Sequence, residues 1–421
     1  MIRLPASLQR LALVALAAFT FAAPAADSSF QIPPTDDGLP GAGPIRRYDW
    51  FRKLWEERRS AWHQRLDQDQ KALVFLGDSI TQGWGDDFRK QFPGIKVANR
   101  GISGDTTRGV LIRLEQDVLA LHPSGVVLLI GTNDLEEGAD PETIAANLKL
   151  ILAALKRHDP KMPVILNYVF PSSESKKRPA DKIKKINQLY AAAVKGDPQV
   201  IPIETWILFA NEHGDAKPDE FPDLLHPNDV GYHKWAAALR PILATLGFLD
   251  TEPDSFKLEP GFVSLFNGHD LSGWGFITNN FDGQSVSSDG RYVARLGRII
   301  VLTPPEGRRV EQMWTTRSYP KDFILKLEFR SGVYADSGIF IRDPQLQCRD
   351  YILAGPYNQL KHYRPQEWNQ IEVTVKGNVA HCVCNDEVLE EAMPVPASGP
   401  IGLEGDRGQM EYRRIRLKEL P

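Results

Sequence analysis

The spacing of apolar residues changes near residue 250, and this change predicts two different architectures in one chain. Before it, short apolar runs alternate with longer stretches in which apolar residues recur every three or four positions. The short runs lie at residues 73–76, 126–130, 164–169 and 200–203. The longest helical stretch covers residues 141–158, with Asp140 as a candidate N-cap and Pro141 in the first turn. Strands that alternate with helices predict βαβ units, so we expect residues 45–249 to form an α/β domain around a parallel sheet.

Beyond residue 260 the apolar period becomes two. The segment FILKLEFRS, residues 323–331, alternates apolar with mostly polar side chains, and QIEVTVKGN further on does the same. Many short alternating segments with closely spaced turns predict an antiparallel sandwich over residues 261–420. Residues 250–260 carry charges and two prolines and are interpreted as the linker between the two domains.

The composition is that of a globular protein. Of the 421 residues, 42% are hydrophobic and 25% charged, and the formal net charge is −4 at pH 7. This charge gives no reason to expect nucleic acid or an anionic membrane as a partner. The basic residues at 176–185 are interpreted as a solvated helix face, because no aromatic residues are interleaved with them. The sequence does not indicate an oligomeric state.

The first 25 residues have the pattern of a secretory signal peptide. Two arginines accompany an apolar run at residues 11–23, which is too short to span a bilayer, and small residues follow at a cleavage position. No cysteine follows the cleavage position, so a lipid anchor is not indicated. Residues 26–44 are interpreted as a leader rich in proline and glycine. We therefore expect an exported protein, periplasmic or extracellular.

Three cysteines, Cys348, Cys382 and Cys384, lie in the last quarter of the chain. Export permits disulfides, but three thiols cannot all pair within one chain. Buried free thiols and a single bridge from Cys348 are both compatible with the spacing.

A lone serine follows the first apolar strand. Ser79 stands at the predicted carboxyl end of residues 73–76, the edge at which open α/β sheets bind ligands. A serine hydroxyl needs a base to become a nucleophile, and that base is commonly a histidine oriented by a carboxylate. Asp223 and His226 stand three residues apart in a short loop before a helix, a spacing that allows the carboxylate to reach one imidazole nitrogen. These three residues are the candidate catalytic triad.

Acyl transfer also needs hydrogen-bond donors for the negative charge that develops on the substrate oxygen. The glycine-rich segment NRGISGDTT places Gly104 where a bare backbone N–H can be presented. Asn133 follows the buried strand VVLLI and offers a carboxamide donor. Together with the backbone N–H of Ser79, these residues form a candidate oxyanion hole.

Four segments that contain these residues occur in a recognisable order. They are GDSI at 77–80, ISGDTT around Gly104, GTND at 131–134 and the pair Asp223-x-x-His226. In the content and the order of these segments, the chain resembles the SGNH (GDSL) hydrolases. It is most similar to the branch of the platelet-activating-factor acetylhydrolase catalytic subunits and related bacterial esterases. The resemblance covers residues 45–249 and implies a flavodoxin-like three-layer α/β/α fold that hydrolyses esters or thioesters without a metal or other cofactor. It also implies Ser79 as nucleophile, His226 as base, Asp223 as its orienting carboxylate, and Gly104 and Asn133 as oxyanion donors.

Each of these residues also has a purely structural interpretation. An Asp-Ser pair after a strand commonly caps the next helix. We expect Asp105 and Asp134 to act as structural caps and Asp78 to hold the corner before Ser79. His233 is expected on a helix surface or as a packing residue, and the aromatic residues between 50 and 62 are expected to be packing residues. A metal site at Asp223, His226 and Asp229 is disfavoured, because it lacks a second well-placed histidine.

The second half resembles a domain of 3-keto-disaccharide hydrolases over residues 261–420, on the segments FVSLFNGHDLSGW, DFILKLEFRS and EWNQIEVTVKGN. This resemblance implies a concanavalin-like jelly roll with a role connected to carbohydrate. The family often carries the pattern E-x-Q-x-x-D, whereas this chain has QLQCRD, with Gln345 in place of the acid. Because an amide cannot exchange a proton as a carboxyl group does, independent catalysis by this half is disfavoured. Glu328, Arg330 and Gln345 are its candidate substrate-binding residues.

The sequence therefore predicts an exported serine esterase that removes acyl groups, with acetyl favoured, from carbohydrate held by the sandwich. Three alternatives stay open at this point. The sandwich could hydrolyse glycosides or 3-keto-glycosides through Glu328, paired with Asp350 or Glu372. The first domain could be a lipid esterase or thioesterase. The chain could also be a glycan-binding protein without activity, although the complete triad argues against that.

Overall fold

The computed structural model describes residues 30–249, 255–295, 297–302, 311–350 and 356–421. The predicted signal peptide lies outside the described residues, as do the first residues of the leader and of the linker. The described part of the leader packs against the first domain, with Phe30 and Ile32 buried and the Asp36 carboxylate paired with Arg108. Across the described ranges, no helix combines the length and the apolar character that a membrane span requires.

The first domain is built on a parallel sheet, as predicted. Its strands are β1 (Leu73–Gly77), β2 (Val97–Gly101), β3 (Gly125–Leu129), β4 (Val164–Asn167) and β5 (Val200–Ile203). They are ordered β2-β1-β3-β4-β5, which is the flavodoxin-like order. Leu73 of β1 is in register with Val97 on one side and Gly125 on the other, so the carboxyl ends of β2, β1 and β3 lie together.

Strand β2 has a sequence, VANRG, that contains no long apolar run. Its polar side chains are nevertheless buried, because hydrogen bonds satisfy them inside the protein. Asn99 donates to the carbonyls of Thr81 and Gly85, and Arg100 pairs with the Asp69 carboxylate at 2.8 Å. A search for apolar runs therefore does not find this strand.

Helices cover both faces of the sheet. They are α1 (Asp49–Gln64), α2 (Leu66–Asp69), α3 (Ser79–Gln82), α4 (Thr107–Asp117), α5 (Thr132–Glu136), α6 (Pro141–His158), α7 (Ala180–Val194), α8 (Thr205–Phe209) and α9 (Asp229–Thr245). Alternate residues of the strands point to opposite faces. One face packs against α4, α6 and α7, and the other against α3, α8 and α9, which gives the expected three layers.

The longest helix begins and ends as its sequence predicts. The Asp140 side chain accepts a hydrogen bond from the Thr143 N–H at 2.6 Å, and Pro141 occupies the first turn. Three basic residues lie in the last turn, where they interact favourably with the helix dipole.

The aromatic residues of α1 are not all packing residues. Phe51, Trp55 and Trp62 are buried, as expected. Trp50 is instead 52% exposed, so the prediction is wrong for this residue. Trp50 lies in the first turn, and its ring contacts that of the buried Phe51 edge-on at 5.6 Å.

The second domain is an antiparallel sandwich, as predicted. Its strands are β6 (Val263–Ser264), β7 (Trp274–Phe276), β8 (Asn279–Asn280), β9 (Tyr292–Arg295), β10 (Arg298–Val301), β11 (Met313–Thr315), β12 (Phe323–Ser331), β13 (Asp336–Ile341), β14 (Gln345–Arg349), β15 (Asn369–Lys376), β16 (Val379–Cys384), β17 (Glu387–Pro394), β18 (Ile401–Leu403) and β19 (Met410–Glu419). One sheet has the order β17-β16-β15-β12-β19-β10-β9, with β6 added beside β19, and the other has β14-β13-β18-β11-β7-β8. The side chains between the two sheets form one apolar core.

All three cysteines are buried and free in the structure. Burial raises the pKa of the Cys382 and Cys384 thiols to about 12, which keeps them protonated and unreactive at neutral pH.

The end of α9 contacts the sandwich. Gln409 donates to the Thr245 hydroxyl at 2.8 Å, Arg295 donates to the Thr245 carbonyl at 2.8 Å, and Arg240 pairs with Glu367 at 3.2 Å. These contacts are polar, and the apolar side chain of Val333 also packs against the core of the first domain.

Candidate active site

Ser79 is delivered by a tight corner at the end of β1. A Cβ atom added to Gly77 would lie 2.3 Å from the Leu129 carbonyl oxygen, so only glycine allows this close approach. Asp78 caps the short helix α3 by accepting a hydrogen bond from the Ile80 N–H at 3.0 Å. Ser79 is the first residue of that helix, so its side chain stands at the carboxyl edge of the sheet.

The structure brings the three candidate triad side chains into one hydrogen-bonded chain. His226 Nε2 lies 2.9 Å from Ser79 Oγ, and His226 Nδ1 lies 2.7 Å from Asp223 Oδ2. The Asp223 carboxylate can only accept, so Nδ1 carries the proton and Nε2 is left to accept from the serine hydroxyl. This is the arrangement that a general base needs to activate serine.

Asp223 is held by the loop that it orients. Its other oxygen, Oδ1, accepts from the backbone N–H groups of His226 at 2.7 Å and Leu225 at 3.0 Å. Partial burial acts to raise the pKa of Asp223, but these hydrogen bonds and the His226 imidazole outweigh it, so the pKa lies below its ordinary value. The carboxylate is therefore charged at neutral pH. The side chains of His226 and Asp223 are 43% and 46% exposed, so the site opens to solvent.

The predicted oxyanion donors lie on the loops that follow the two neighbours of β1. Gly104 follows β2 with a φ of +89°, and a Cβ there would lie 2.7 Å from the Trp50 ring. Among the described residues, the backbone N–H groups of Ser79 and Gly104 have no hydrogen-bond acceptor. Asn133 follows β3 and is buried, and its Nδ2 donates to the Asp105 carbonyl at 2.9 Å. Because a carboxamide carries two N–H groups, one is left for a further acceptor.

Arg178 is a residue that sequence reasoning missed. It was expected on a solvated helix face, but it is buried and points toward the site, so that interpretation is wrong for Arg178. It donates to the Thr132 carbonyl at 3.1 Å and to Asn133 Oδ1 at 2.9 Å, and it pairs with Glu136 at 2.8 Å. Its contacts orient the Asn133 carboxamide. In the sequence Arg178 is one of several basic residues, and no motif distinguishes it as a residue that orients Asn133.

Three buried aspartates lie near the site, and only Asp78 is a cap, for α3. The cap predictions for Asp105 and Asp134 are wrong, because Thr106 caps α4 and Asp134 accepts from the N–H and hydroxyl of Thr107 instead of capping its own helix. Asp105 pairs with Arg113 at 2.8 Å, and both side chains are fully buried. Burial raises the pKa of Asp78 and of Asp105 to about 6, and that of Asp134 to about 7.

The other candidate ligands near the triad point elsewhere. Asp229 forms an ion pair with Arg89, and His233 is exposed on α9, which is the first of its two expected positions. In the part of the chain that the structure describes, no group of three or more His, Cys, Asp or Glu side chains is arranged to hold a metal ion.

The candidate residues of the sandwich do not form one site. Glu328 lies on β12, where Arg413 and Arg414 of β19 each hold one of its oxygens at 2.7 Å. The cations on the same face of β12 are engaged elsewhere, since Lys326 pairs with Glu372 and Arg330 with the buried Glu411. Glu372 faces Lys326 across the two strands and stands two residues from Gln370, which faces Glu328. Asp350 is buried directly after β14 and accepts from the Tyr334 N–H and the Gln366 amide.

Gln345 lies on the other sheet, on a polar face that the sequence did not reveal. It donates to the carboxylate of Glu404, the residue that follows β18, and accepts from Gln347 at 2.9 Å. Burial raises the pKa of Glu404. Trp314 covers Gly402 on the same face, and its ring lies 5.1 Å from that of Phe340. An open cavity of about 660 Å³ adjoins Trp314 and is lined by Asn279, Asn280, Thr316 and Asp343, among others.

Two family models match separate parts of the chain. Residues 75–234 match the model of the GDSL-like Lipase/Acylhydrolase family. Residues 261–418 match the model of the 3-keto-alpha-glucoside-1,2-lyase-like domain.

Similar proteins are found for the first domain. Human platelet-activating factor acetylhydrolase IB subunit alpha1 is 29% identical over 205 residues, which are 47% of this chain and 88% of that protein. The bovine subunit alpha2 is 28% identical over 198 residues, 45% of this chain and 86% of that protein. A GDSL-like lipase structure from Bacteroides thetaiotaomicron is 27% identical with a TM-score of 0.39, covering 46% of this chain and 97% of that one.

A serine, a histidine and a carboxylate that are hydrogen-bonded at the edge of a parallel sheet agree with the chemistry of the family that residues 75–234 match. The chain is therefore an ester-hydrolysing serine hydrolase with a GDSL-like lipase/acylhydrolase domain at residues 75–234 and a 3-keto-disaccharide hydrolase-like domain at residues 261–418.

Proposed function

We propose that this protein is an exported carbohydrate esterase that removes acetyl groups from a glycan, with Ser79 as its nucleophile. The observation that carries the proposal is the hydrogen-bonded chain from Ser79 through His226 to Asp223, at a solvent-open edge of the sheet. An acylated polymer can reach such an edge without entering a closed cavity.

The geometry supports a two-step acyl transfer. His226 Nε2 takes the proton of the Ser79 hydroxyl as Oγ attacks the ester carbonyl, and Asp223 stabilises the imidazolium that forms. The negative oxygen is bound by the N–H groups of Ser79 and Gly104 and by the second N–H of Asn133. The imidazolium then protonates the departing alkoxide, which leaves an acyl-serine. A water molecule activated by His226 hydrolyses this intermediate in the same way.

The sandwich supports carbohydrate as the substrate class. Its polar face combines Trp314 with the amides of Gln345 and Gln347 and the carboxylate of Glu404. Aromatic rings stack on the C–H faces of sugars, and amides and carboxylates bind their hydroxyl groups. The match of this domain to a 3-keto-alpha-glucoside-1,2-lyase-like model points to the same class. Glu328 is not assigned a catalytic role, because two arginines hold its oxygens.

Two parts of the proposed function, the acetyl substrate and the export of the protein, depend on other observations. The relatives of the first domain are named acetylhydrolases, which favours a short acyl group. The arginines, the apolar run and the small residues within residues 1–25 support export.

The test is a substrate panel for the purified protein and its Ser79→Ala variant. The panel contains acetylated xylan, acetylated xylo-oligosaccharides, an acetylated ether phospholipid, longer acyl esters and acyl-thioesters. We expect release of acetate from the saccharides by the wild type and not by the variant. Turnover confined to the phospholipid would replace the carbohydrate with a lipid substrate, and turnover confined to long esters would remove the acetyl assignment.

A further inference from the structure

Two exposed aromatic side chains stand next to the candidate oxyanion hole. Tyr48 is 53% exposed and Trp50 is 52% exposed, and within the described ranges they are the tyrosine and tryptophan side chains most open to solvent. Their ring centroids are 6.4 Å apart and their planes differ by only 12°. The two rings therefore present nearly parallel aromatic surfaces to solvent.

This pair is continuous with the loop that follows β2. A Cβ atom at Gly104 would lie 2.7 Å from Trp50 Cη2 and 2.9 Å from Arg46 Nη1, so the tryptophan ring and the guanidinium group both rest against Gly104. The backbone N–H of Gly104 is one of the proposed oxyanion donors. A substrate whose carbonyl oxygen binds there has Trp50 as a direct neighbour.

The pair is also tied to the loop that follows β3. The Tyr48 hydroxyl donates to Glu137 at 3.3 Å, and Arg46 donates to Glu137 at 2.7 Å and pairs with Glu136. Glu136 in turn pairs with Arg178, which holds Asn133. The position of the rings is thus fixed relative to both loops that carry oxyanion donors.

The chemistry around the rings distinguishes between possible ligands. Exposed aromatic surface costs free energy in water, and burying one face of each ring against a ligand recovers it. A long acyl chain would need a deep apolar groove, whereas these rings are bordered by Arg46 and Glu137. A flat aromatic surface beside a carboxylate and a guanidinium group suits a sugar ring, which offers C–H bonds on its faces and hydroxyl groups at its edge.

We propose that Tyr48 and Trp50 form the stacking platform for a pyranose ring of the acylated glycan whose ester is cleaved at Ser79. This inference rests on the proposed function and adds a binding site to it. The platform lies before residue 75, outside the segment that matches the GDSL-like family model. It therefore gives the chain a means of substrate selection that the family match does not contain.

The test compares acetylated xylo-oligosaccharides with ethyl acetate, an ester without a ring. For Trp50→Ala we expect the ratio of kcat/KM for the saccharide to kcat/KM for ethyl acetate to fall about tenfold, mainly through KM. Trp50→Phe retains a ring and should retain most of the ratio. Leu150→Ala is the matched control, because Leu150 is 46% exposed on α6 of the same domain and should leave the ratio unchanged.

The outcomes separate the two proposals. If the wild type cleaves saccharide esters and Trp50→Ala keeps the wild-type ratio, the platform is wrong and the proposed function stands. If the wild type cleaves ethyl acetate but no saccharide ester, both the carbohydrate substrate and the platform are wrong. Thermal unfolding of each variant shows whether it is folded. If Trp50→Ala is misfolded, the kcat/KM ratios of Trp50→Phe and Tyr48→Ala decide the result.

Discussion

Arg178 donates a hydrogen bond of 2.9 Å from Nη2 to Oδ1 of Asn133, a residue 45 positions earlier in the chain. This contact fixes which end of the Asn133 carboxamide faces the edge of the sheet. With Oδ1 occupied by the guanidinium group, Nδ2 is directed to the Asp105 carbonyl and toward the site. The arginine thus orients a donor that a nearby ester oxygen can use.

We expect Arg178→Ala to lower kcat by about 10- to 100-fold with little change in KM, because small misplacements of a catalytic group cost this much. Arg178→Lys should restore little activity, since lysine lacks the planar group that contacts Thr132, Asn133 and Glu136 together. The exposed neighbour Lys177→Ala is the control. The double variant with Asn133→Ala should be no slower than Asn133→Ala alone, because both changes act through one donor. Additive losses would show that Arg178 acts independently of Asn133.

Asn133→Ala should lower kcat far more than it raises KM. An oxyanion donor binds charge that exists mainly in the transition state, and one such donor contributes about 3 kcal/mol. Steady-state kinetics on a short ester measure both parameters. An effect confined to KM would make Asn133 a residue that positions substrate.

Ser79→Ala should abolish hydrolysis of short esters and leave the fold intact. Loss of a triad nucleophile typically removes several orders of magnitude in rate. The measurement is acetate release, with circular dichroism and thermal unfolding to verify folding. Near-normal turnover would exclude Ser79 as the nucleophile.

The sequence predicted those features of the fold that depend on local patterns. The α/β and β architectures follow from apolar periods, and the bounds of α6 follow from Asp140 and Pro141. Ser79, Asp223 and His226 were found because each stands in a short motif with a known chemical use.

The features that sequence reasoning missed depend on contacts between distant residues. Strand β2 is buried because Asn99 and Arg100 find partners far along the chain. Arg178 is separated from Asn133 by a helix and a strand, and Glu328 meets Arg413 only because β12 pairs with β19. No periodicity encodes such pairings, since they arise from the packing of elements in three dimensions.

The buried Asp134 should make stability depend on pH. Its pKa is raised by burial from 3.8 to about 7, so between these values the folded chain retains a proton that the unfolded chain releases. The free energy of unfolding therefore falls as the pH rises through this range. Asp134→Asn cannot titrate and should lack this contribution. Urea unfolding at several pH values measures the free energy of unfolding of both proteins. The value for the variant minus that for the wild type should increase between about pH 4 and 7.

Asp78 and Asp105 also have a raised pKa, but both titrate in the wild type and in the variant, so most of their effect cancels in this comparison. Wild-type and variant stabilities that stay parallel from pH 4 to 8 would contradict a raised pKa at Asp134.

Substitutions on the two outer faces of the sandwich should have different effects on polysaccharide binding. In the full-length Ser79→Ala protein, which cannot deacylate its ligand, Trp314→Ala should weaken polysaccharide binding by about tenfold, because its ring is the aromatic surface of the polar face. Glu328→Gln should leave binding unchanged, since Arg413 and Arg414 already hold its carboxylate on the other sheet. Affinity electrophoresis in gels that contain acetylated xylan measures both effects.

The same proteins test whether the sandwich has an activity of its own. A glycosidase acid must release a proton to the leaving sugar, and a carboxylate held by two guanidinium groups is poorly suited to carry that proton. We therefore expect no monosaccharide release from disaccharides or their 3-keto forms by the Ser79→Ala protein. Release that disappears in Glu328→Gln would show that the ion pairs open in the complex and that the chain has two activities. Release that disappears in Glu404→Gln instead would place the second activity on the polar face, where burial raises the pKa of that carboxyl group and so favours its proton-carrying form.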